Sequence, residues 1–157
     1  MKAIIKMVSS GLYAGYSPIA PGTLGSLWGV LIYLHLRDHP ALFILVTVLL
    51  FILGFILCGR AEDAYGRKDS QKIVIDEIAS MCLVYLFIKP TWLMLGIGFA
   101  LFRLFDIIKP PPARRIEALE GSKGVMLDDL VAACYTIAVL FIVYILIERG
   151  ILPGLYR

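Results

Sequence analysis

Histidine, cysteine and charge are all scarce in this chain. Among 157 residues there are two histidines, His35 and His39, and three cysteines that lie in apolar runs without paired spacing. These counts argue against a histidine-based metal centre, a disulfide framework and a cysteine zinc site. Charged residues make up 17% of the chain, and none occurs from Met7 to Leu36. The chain therefore has few side chains with which to cover a water-facing surface.

Apolar residues are abundant instead. The hydrophobic fraction is 60% and the mean hydropathy is +0.86, against roughly 45–50% apolar residues in soluble domains. So short a chain cannot hide this excess in its own core, because small domains leave much of their surface exposed. The composition predicts an integral membrane protein with membrane lipids as its surroundings. We expect one membrane-embedded domain over residues 1–157 and, at a net charge of only +3, no nucleic-acid partner.

The apolar runs predict an all-α bundle of about five membrane spans. A full crossing needs about 20 residues, so the shorter runs cross only if flanking polar residues are also helical. Lys2 and Lys6 flank apolar residues at helical spacing near the N-terminus, which predicts an interfacial helix within residues 3–16. The predicted spans are 23–36, 41–59, 78–88, 91–102 and 130–147.

Threading the chain through five spans separates the basic residues unequally. Eleven fall on the face that holds the N-terminus and four on the other, so the first face is predicted to be cytoplasmic. We expect a multi-pass membrane protein with this face towards the cytoplasm. The richer face receives Lys2, Lys6, Arg60, Arg67, Lys68, Lys72, Arg103, Lys109, Arg114, Arg115 and Lys123. The other receives Arg37, Lys89, Arg149 and Arg157.

Acidic residues mark the predicted span ends on the cytoplasmic face. A carboxylate is costly beside hydrocarbon, so a group of them suggests a bound cation. Mg²⁺ prefers oxygen ligands and commonly uses carboxylates together with substrate phosphate. Helix capping or the helix dipole explains a single acid at such an end, but adjacent pairs exceed that need. The acids are Asp76, Glu77, Asp106, Asp128 and Asp129, with Asp63 further out.

Glycines, prolines and cations accompany these acids. Two prolines and Gly22 precede a helix for which Thr23 is the predicted N-cap, and free N–H groups at a helix start attract anions. Arg103, Asp106 and Lys109 recur at i, i+3 and i+6 and form one charged ridge. Local sequence leaves two interpretations of this ridge open. The arginine either pairs with the aspartate inside the helix, or both cations bind a phosphate.

Four blocks in this order resemble the phosphatidylglycerophosphatase A family over most of the chain, from about residue 11 to about residue 138. The resemblance implies a Mg²⁺-dependent phosphatase that converts phosphatidylglycerophosphate into phosphatidylglycerol and inorganic phosphate in phospholipid biosynthesis. The blocks are Ser17-Pro18…Pro21-Gly22-Thr23…Gly25-Ser26, Asp76-Glu77, Phe102-Arg103…Asp106…Lys109-Pro110…Pro112, and Gly124-Val125-Met126-Leu127-Asp128-Asp129.

With this resemblance, the site residues take expected roles in phosphomonoester hydrolysis at the cytoplasmic face. Metal binding is expected of Asp76, Glu77, Asp106, Asp128 and Asp129. Catalysis, including proton transfer, is expected of Asp76, Glu77, Asp106 and Asp129. Binding of the substrate phosphate is expected of Thr23, Ser26, Arg103, Lys109 and Lys123.

Other functions remain as alternatives at this point. The chain has no Asp-x-Asp motif for an aspartyl-phosphate route, and both histidines map to the opposite face. A small cation transporter or channel subunit would also use membrane carboxylates, although such sites usually lie near the midplane between repeated halves. A non-catalytic protein that binds anionic lipid is a third possibility. The sequence predicts no oligomeric state.

Overall fold

The computed structural model describes residues 2–68, 70–88, 90–149 and 151, and the regular structure of these residues is entirely helical. The all-α prediction is therefore confirmed. Lys89 and Arg157, two of the basic residues assigned to the predicted outer face, lie outside the described residues. The elements are α1 (Lys2–Ser9), a 3₁₀ turn (Ala14–Tyr16), α2 (Pro21–Leu36), α3 (Pro40–Tyr65), α4 (Ile75–Leu86), α5 (Trp92–Ile108), α6 (Ala113–Glu117) and α7 (Ser122–Glu148).

Proline and glycine set the helix ends. Pro21 and Pro40 open α2 and α3, because proline has a helical φ and lacks only an N–H that would have no helical partner. After α3, Gly66 adopts a φ of 69° and its N–H donates to the carbonyl oxygen of Glu62 at 2.8 Å. Lys109 ends α5 in a similar left-handed conformation, with a φ of 48°, just before three prolines.

The short helix α4 is the centre of the bundle. It packs against α2, α3 and α7, and nine of its 12 residues are buried. A helix that is apolar on nearly all sides requires such surroundings. Gly29 allows α2 to approach closely, since a Cβ there would lie 2.6 Å from the Cβ of Met81. This contact places the first turn of α2 beside the first turn of α4, where the candidate site lies.

Two helices are long and apolar enough to cross a membrane. They are α3 and α7, with 26 and 27 residues. At about 1.5 Å per residue each exceeds the roughly 30 Å of a hydrocarbon core. In the most apolar stretch of 18 residues, only 22% of α3 and 28% of α7 is buried. Leu45, Leu49 and Ile52 of α3 are about half exposed. The helices α2, α4 and α5 are shorter, at 16, 12 and 17 residues.

The helix boundaries differ from the apolar runs where charged residues continue a helix. The predicted second span ended at residue 59, but α3 runs to Tyr65; the last helix begins at Ser122 instead of residue 130. Arg103 and Asp106 lie within α5 for the same reason. Charged residues have good or tolerable helix propensity, so a count of apolar residues underestimates helix length.

Two predictions for the N-terminal region need correction. Ala20, not Thr23, is the N-cap of α2, because Pro21 already takes the first helical position. The helix predicted within residues 3–16 is confined to α1, followed by turns, and α1 packs against α3. Ile4 and Leu12 on this segment are 64% and 66% exposed, as an interfacial segment requires.

Candidate active site

A cavity of about 490 Å³ opens at one end of the bundle. It lies where the first turns of α2 and α4 and the second turn of α7 meet the last turns of α5. Segments far apart in the sequence therefore contribute to one space. Eight of the predicted site residues line it: Thr23, Asp76, Glu77, Arg103, Asp106, Lys109, Asp128 and Asp129.

Three of the acids converge within this cavity. Asp76, Glu77 and Asp129 each offer one carboxylate oxygen, and these oxygens lie within 4.8 Å of one another. Asp76 and Asp129 are 7% and 3% exposed, and the side chain of Glu77 is 14% exposed. Three buried carboxylates at this spacing repel one another and have lost most of their hydration. A cation between them would offset both costs.

Unpartnered oxygens show that this group fits a divalent metal. Among the described residues, Oδ1 of Asp76, Oε2 of Glu77 and Oδ2 of Asp129 are buried without a hydrogen-bond partner. Buried polar atoms are normally paired, so three orphaned acceptors in one place need a ligand. A hard cation with oxygen ligands, such as Mg²⁺, matches this donor set.

The remaining two acids are occupied by cations. Asp106 forms an ion pair with Arg103, which lies one helical turn earlier on α5, with 2.7 Å between Oδ2 and Nη1. Asp128 forms one with Lys109, with 2.6 Å between Oδ2 and Nζ. The predicted set of five metal ligands thus divides into a group of three and two paired acids. Asp128 still has one buried oxygen, Oδ1, for which the described part of the chain offers no hydrogen-bond partner.

Arg103 connects the acidic group to the rest of the cavity. Besides Asp106, its Nη1 lies 3.8 Å from Oε1 of Glu77 and donates to Oγ of Ser26 at 3.4 Å. Its Nε is buried and has no hydrogen-bond partner among the described residues. The guanidinium therefore has a donor to spare, and its planar group suits a phosphate. The ion pair with Asp106, one of the two interpretations of the charged ridge, is present, and phosphate binding by Arg103 stays a prediction.

Lys109 is held between two carboxylates. Its Nζ lies 2.6 Å from Asp128 and 2.8 Å from Glu117 of α6. Burial lowers the pKa of Lys109, but the hydrogen bonds to these two carboxylates outweigh burial and raise the pKa above its ordinary value. The ammonium is therefore charged at neutral pH. Because this charge stands at the cavity wall, it can attract a phosphate while it fixes Asp128.

The α2 residues differ from the predicted phosphate ligands. The side chain of Ser26 is buried and donates to the carbonyl oxygen of Gly22 at 2.9 Å, so it supports Arg103 from behind and does not line the cavity. Thr23 does line the cavity, but its N–H donates to Ala20 at 3.0 Å. That N–H is therefore not free for a phosphate.

Lys123 does not reach the cavity. It lies exposed at the start of α7 and is absent from the cavity lining, although Asp128 and Asp129 on the same helix are part of it. Asp63 is also exposed and borders a different surface pocket. Both residues were predicted on the same membrane face as the acids, but neither lines the cavity. Proximity in sequence to a motif acid does not place a side chain beside it.

Sequence reasoning missed two polar residues of the cavity. Ser70 and Gln71 belong to the segment between α3 and α4 and line the same cavity as the acids. A serine and a glutamine in a polar loop carry no pattern that distinguishes them from solvent-exposed residues. Only the fold, which brings this loop over the first turn of α4, identifies them.

Most of the chain matches one family of known proteins. The model of a family described as phosphatidylglycerophosphatase A matches residues 7–144, which includes every residue lining the cavity. The chain belongs to the phosphatidylglycerophosphatase A family. The resemblance seen in the four sequence blocks is confirmed.

Relatives of the chain cover most of its length. A phosphatidylglycerophosphatase A of Haemophilus influenzae is 38% identical over 141 residues, covering 87% of this chain and 86% of the relative. One of Escherichia coli K12 is 33% identical, covering 87% and 81%. A putative phosphatidylinositol-3-phosphatase of Bacteroides thetaiotaomicron is 32% identical, covering 83% and 87%. No solved structure matches the chain significantly.

Membership in the phosphatidylglycerophosphatase A family decides between the classes of function left open by the sequence. The family is one of enzymes, and the relatives are named as lipid phosphatases. A cation transporter or channel subunit is not favoured. In this member of the phosphatidylglycerophosphatase A family, the polar cavity with its three converging acids is the candidate site for such chemistry.

Proposed function

We propose that this chain is a membrane-embedded, Mg²⁺-dependent phosphatase that hydrolyses phosphatidylglycerophosphate to phosphatidylglycerol and inorganic phosphate. The reaction serves phospholipid biosynthesis at the cytoplasmic face of a bacterial inner membrane. The family and two of the relatives support the substrate. One structural observation carries the chemistry. Three buried carboxylates with unpartnered oxygens lie beside the guanidinium of Arg103 in a single cavity.

Asp76, Glu77 and Asp129 would hold the metal ion. When bound, Mg²⁺ would screen the charge of the phosphate and make an attacking water more acidic. Asp106 and Asp128 act differently, because each is already paired with a cation. Their carboxylates hold Arg103 and Lys109 at the cavity wall. In this arrangement, the two cations remain directed towards the space where the phosphate would sit.

The chain's own residues would bind the phosphate and move the protons. Arg103 and Lys109 stabilise the phosphoryl oxygens as charge builds on them in the transition state. Attack of the water oxygen on phosphorus forms one P–O bond and breaks the bond to the glycerol oxygen. One of these acids, Glu77 or Asp129, accepts the proton that the water loses on an oxygen that does not contact the metal, and returns it to the leaving oxygen.

The direct test is product formation by the purified protein in non-ionic detergent. With Mg²⁺ present, we expect phosphatidylglycerophosphate to yield equal amounts of phosphatidylglycerol and inorganic phosphate. Phosphate release that persists after chelation would remove magnesium from the proposal. Cation flux in proteoliposomes without any phosphate release would overturn the enzymatic function itself.

We also propose that five helices, α2, α3, α4, α5 and α7, pass through the membrane with the cavity at the cytoplasmic side. The exposed apolar surfaces of α3 and α7 and the excess of basic residues on the cavity face support this topology. The 12 residues of α4 are too few for a full crossing, but α4 is enclosed by other helices. The chain segments on either side of α4 therefore complete this crossing inside the bundle.

Accessibility of single cysteines tests this topology. Asp38 lies in the turn between α2 and α3, and its side chain is 85% exposed, whereas Asp63 is exposed on the cavity face. In a chain with Cys58, Cys82 and Cys134 replaced by alanine, Asp38→Cys should react with a membrane-impermeant maleimide in intact spheroplasts. Asp63→Cys should react only after permeabilisation. The reverse pattern, or reaction of both in intact spheroplasts, would contradict the proposed orientation.

A further inference from the structure

A second group of cations lies outside the proposed catalytic machinery. Nζ of Lys6 lies 4.9 Å from the centre of the Tyr65 ring, and Nζ of Lys72 lies 5.8 Å from the same centre and 4.9 Å from that of Tyr16. The hydroxyl groups of the two tyrosines are 3.4 Å apart. We call Lys6, Tyr16, Tyr65 and Lys72 the tyrosine–lysine cluster. Residues from α1, the 3₁₀ turn, α3 and the loop before α4 thus meet at one point.

The two ammonium groups of this cluster have no acidic partner in the part of the chain that the structure describes. Among the described residues, neither Lys6 nor Lys72 forms an ion pair, whereas Arg103 and Lys109 in the cavity each contact two carboxylates. Aromatic rings attract cations but do not neutralise them. The two ammonium groups lie 4.9 Å and 5.8 Å from the centre of the same ring, so they repel each other, and an anion bound by both would offset this repulsion.

The cluster flanks the mouth of the cavity. Tyr16 precedes Pro18 by two residues, and Lys72 directly follows Gln71; Pro18 and Gln71 both line the cavity. The two segments touch, because a Cβ on Gly15 would collide with the carbonyl oxygen of Lys72. Neighbouring Cα atoms are about 3.8 Å apart, so the cluster begins within one or two residues of the cavity wall.

We propose that the tyrosine–lysine cluster binds the phosphodiester phosphate of the lipid whose terminal phosphate enters the cavity. This inference rests on the proposed function. Phosphatidylglycerophosphate carries two phosphates joined through one glycerol, and the one nearer the acyl chains stays as a diester with a single negative charge. The two cations lining the cavity already contact acids there, so the diester needs cations elsewhere. Lys6 and Lys72 supply two, and the hydroxyl of Tyr16 supplies a hydrogen-bond donor, since that of Tyr65 already donates within the cluster.

The depth of the cluster in the membrane suits this role. The exposed apolar residues Ile4, Leu12 and Ile19 lie on the same N-terminal segment, which places this segment at the boundary between headgroups and acyl chains. Tyrosine and lysine are typical residues at that level. A diester phosphate lies at this depth, whereas the terminal phosphate extends further into the aqueous cavity.

The test compares two double variants that each lose two positive charges from the same face. Lys6→Met with Lys72→Met removes the charges of the cluster, while Lys2→Met with Lys123→Met removes charges that lie outside it. In non-ionic detergent, we expect the first variant to raise KM for phosphatidylglycerophosphate about tenfold, with kcat changed less than about twofold. Turnover of glycerol 3-phosphate, which has no diester, should be unchanged. The control should behave as the wild type with both substrates.

Binding of phosphatidylglycerol gives a readout that needs no catalysis, since this lipid carries only the diester phosphate. We expect its affinity in non-ionic detergent to fall about tenfold in the cluster variant and to be unchanged in the control. Equal losses in both variants, or no loss in either, would overturn the inference. A wild type that releases no phosphate would remove the proposed function, and phosphatidylglycerol binding would then decide the cluster independently.

Discussion

Replacement of Asp129 by asparagine is expected to reduce phosphate release from phosphatidylglycerophosphate about 1000-fold. Asparagine keeps the shape of the side chain but removes one of the three converging negative charges. A metal ion contributes several kcal/mol to stabilising the charge of such a reaction, and each ~1.4 kcal/mol corresponds to a factor of ten in rate. Rates measured over a range of Mg²⁺ concentrations should show weaker metal dependence together with the lower maximum.

The same substitution should not destabilise the metal-free protein. Asp129 is 3% exposed, and its Oδ2 has no hydrogen-bond partner among the described residues, so removing its charge relieves repulsion with Asp76 and Glu77. Thermal unfolding without Mg²⁺ should therefore be unchanged or raised. The stabilisation that Mg²⁺ gives the wild type by binding only the folded state should be lost. Activity and apo stability then change in opposite directions, which a general folding defect does not produce.

Asp63→Asn provides the matched control. It removes an aspartate charge from the same face, but Asp63 is exposed and lies outside the cavity lining. We expect its activity within about twofold of the wild type, since surface substitutions usually have small effects. Full activity of Asp129→Asn, with an undiminished response to Mg²⁺, would rule out the three-acid group as the metal site.

The sequence predicted the meeting of distant segments because the bilayer restricts the possible arrangements. Once the apolar runs are threaded through a membrane, each polar connection must fall on one face or the other. This constraint assigned Asp76, Asp106 and Asp129 to one face without knowledge of helix packing. The same argument cannot tell residues of one face apart, so it also admitted Lys123, which the structure leaves exposed outside the cavity.

The division of the acids into a converging group of three and two that are held by short ion pairs required the fold. Arg103 and Asp106 are one turn apart, and their ion pair was one of two interpretations that the spacing allowed. The pairing of Lys109 with Asp128 joins residues 19 positions apart and depends on how α5 ends. Lys109 adopts a left-handed conformation there, and no pattern in the sequence gives the direction of its side chain. The packing of the helices decides which side chains on different helices pair, and the periodicity of the sequence does not predict this packing.

The sequence did not predict the tyrosine–lysine cluster, for a similar reason. Its four residues lie in four separate segments, and each alone is typical of a membrane boundary. Lys6 and Lys72 were assigned only to the richer basic face. The contact of Gly15 with the backbone of Lys72 brings these segments together, and glycine is needed there because any Cβ would collide with a carbonyl oxygen. In the sequence, such a close approach of two backbones is marked only by a single glycine.

Replacement of Gly22 by alanine is expected to lower activity about 100-fold without loss of stability. A Cβ on Gly22 would collide with Oε1 of Glu77 and would lie 3.0 Å and 3.1 Å from the two terminal nitrogens of Arg103. These atoms are the ends of flexible side chains, so they can move aside at little cost in folding. A displacement of about 1 Å at a reacting group is enough to cost about two orders of magnitude in rate.

Alanine also favours the helix itself by up to about 1 kcal/mol relative to glycine, and Gly22 lies in the first turn of α2 without a positive φ. Thermal unfolding in the same detergent should therefore be unchanged or slightly raised while phosphate release falls. Gly96→Ala is the control, because a Cβ at that position of α5 meets nothing within 4 Å. It should gain the same helical preference and keep full activity. If Gly22→Ala also stayed within about threefold of the wild type, the positions of Glu77 and Arg103 beside α2 would not matter for the reaction. The first turn of α2 would then have no part in arranging the site.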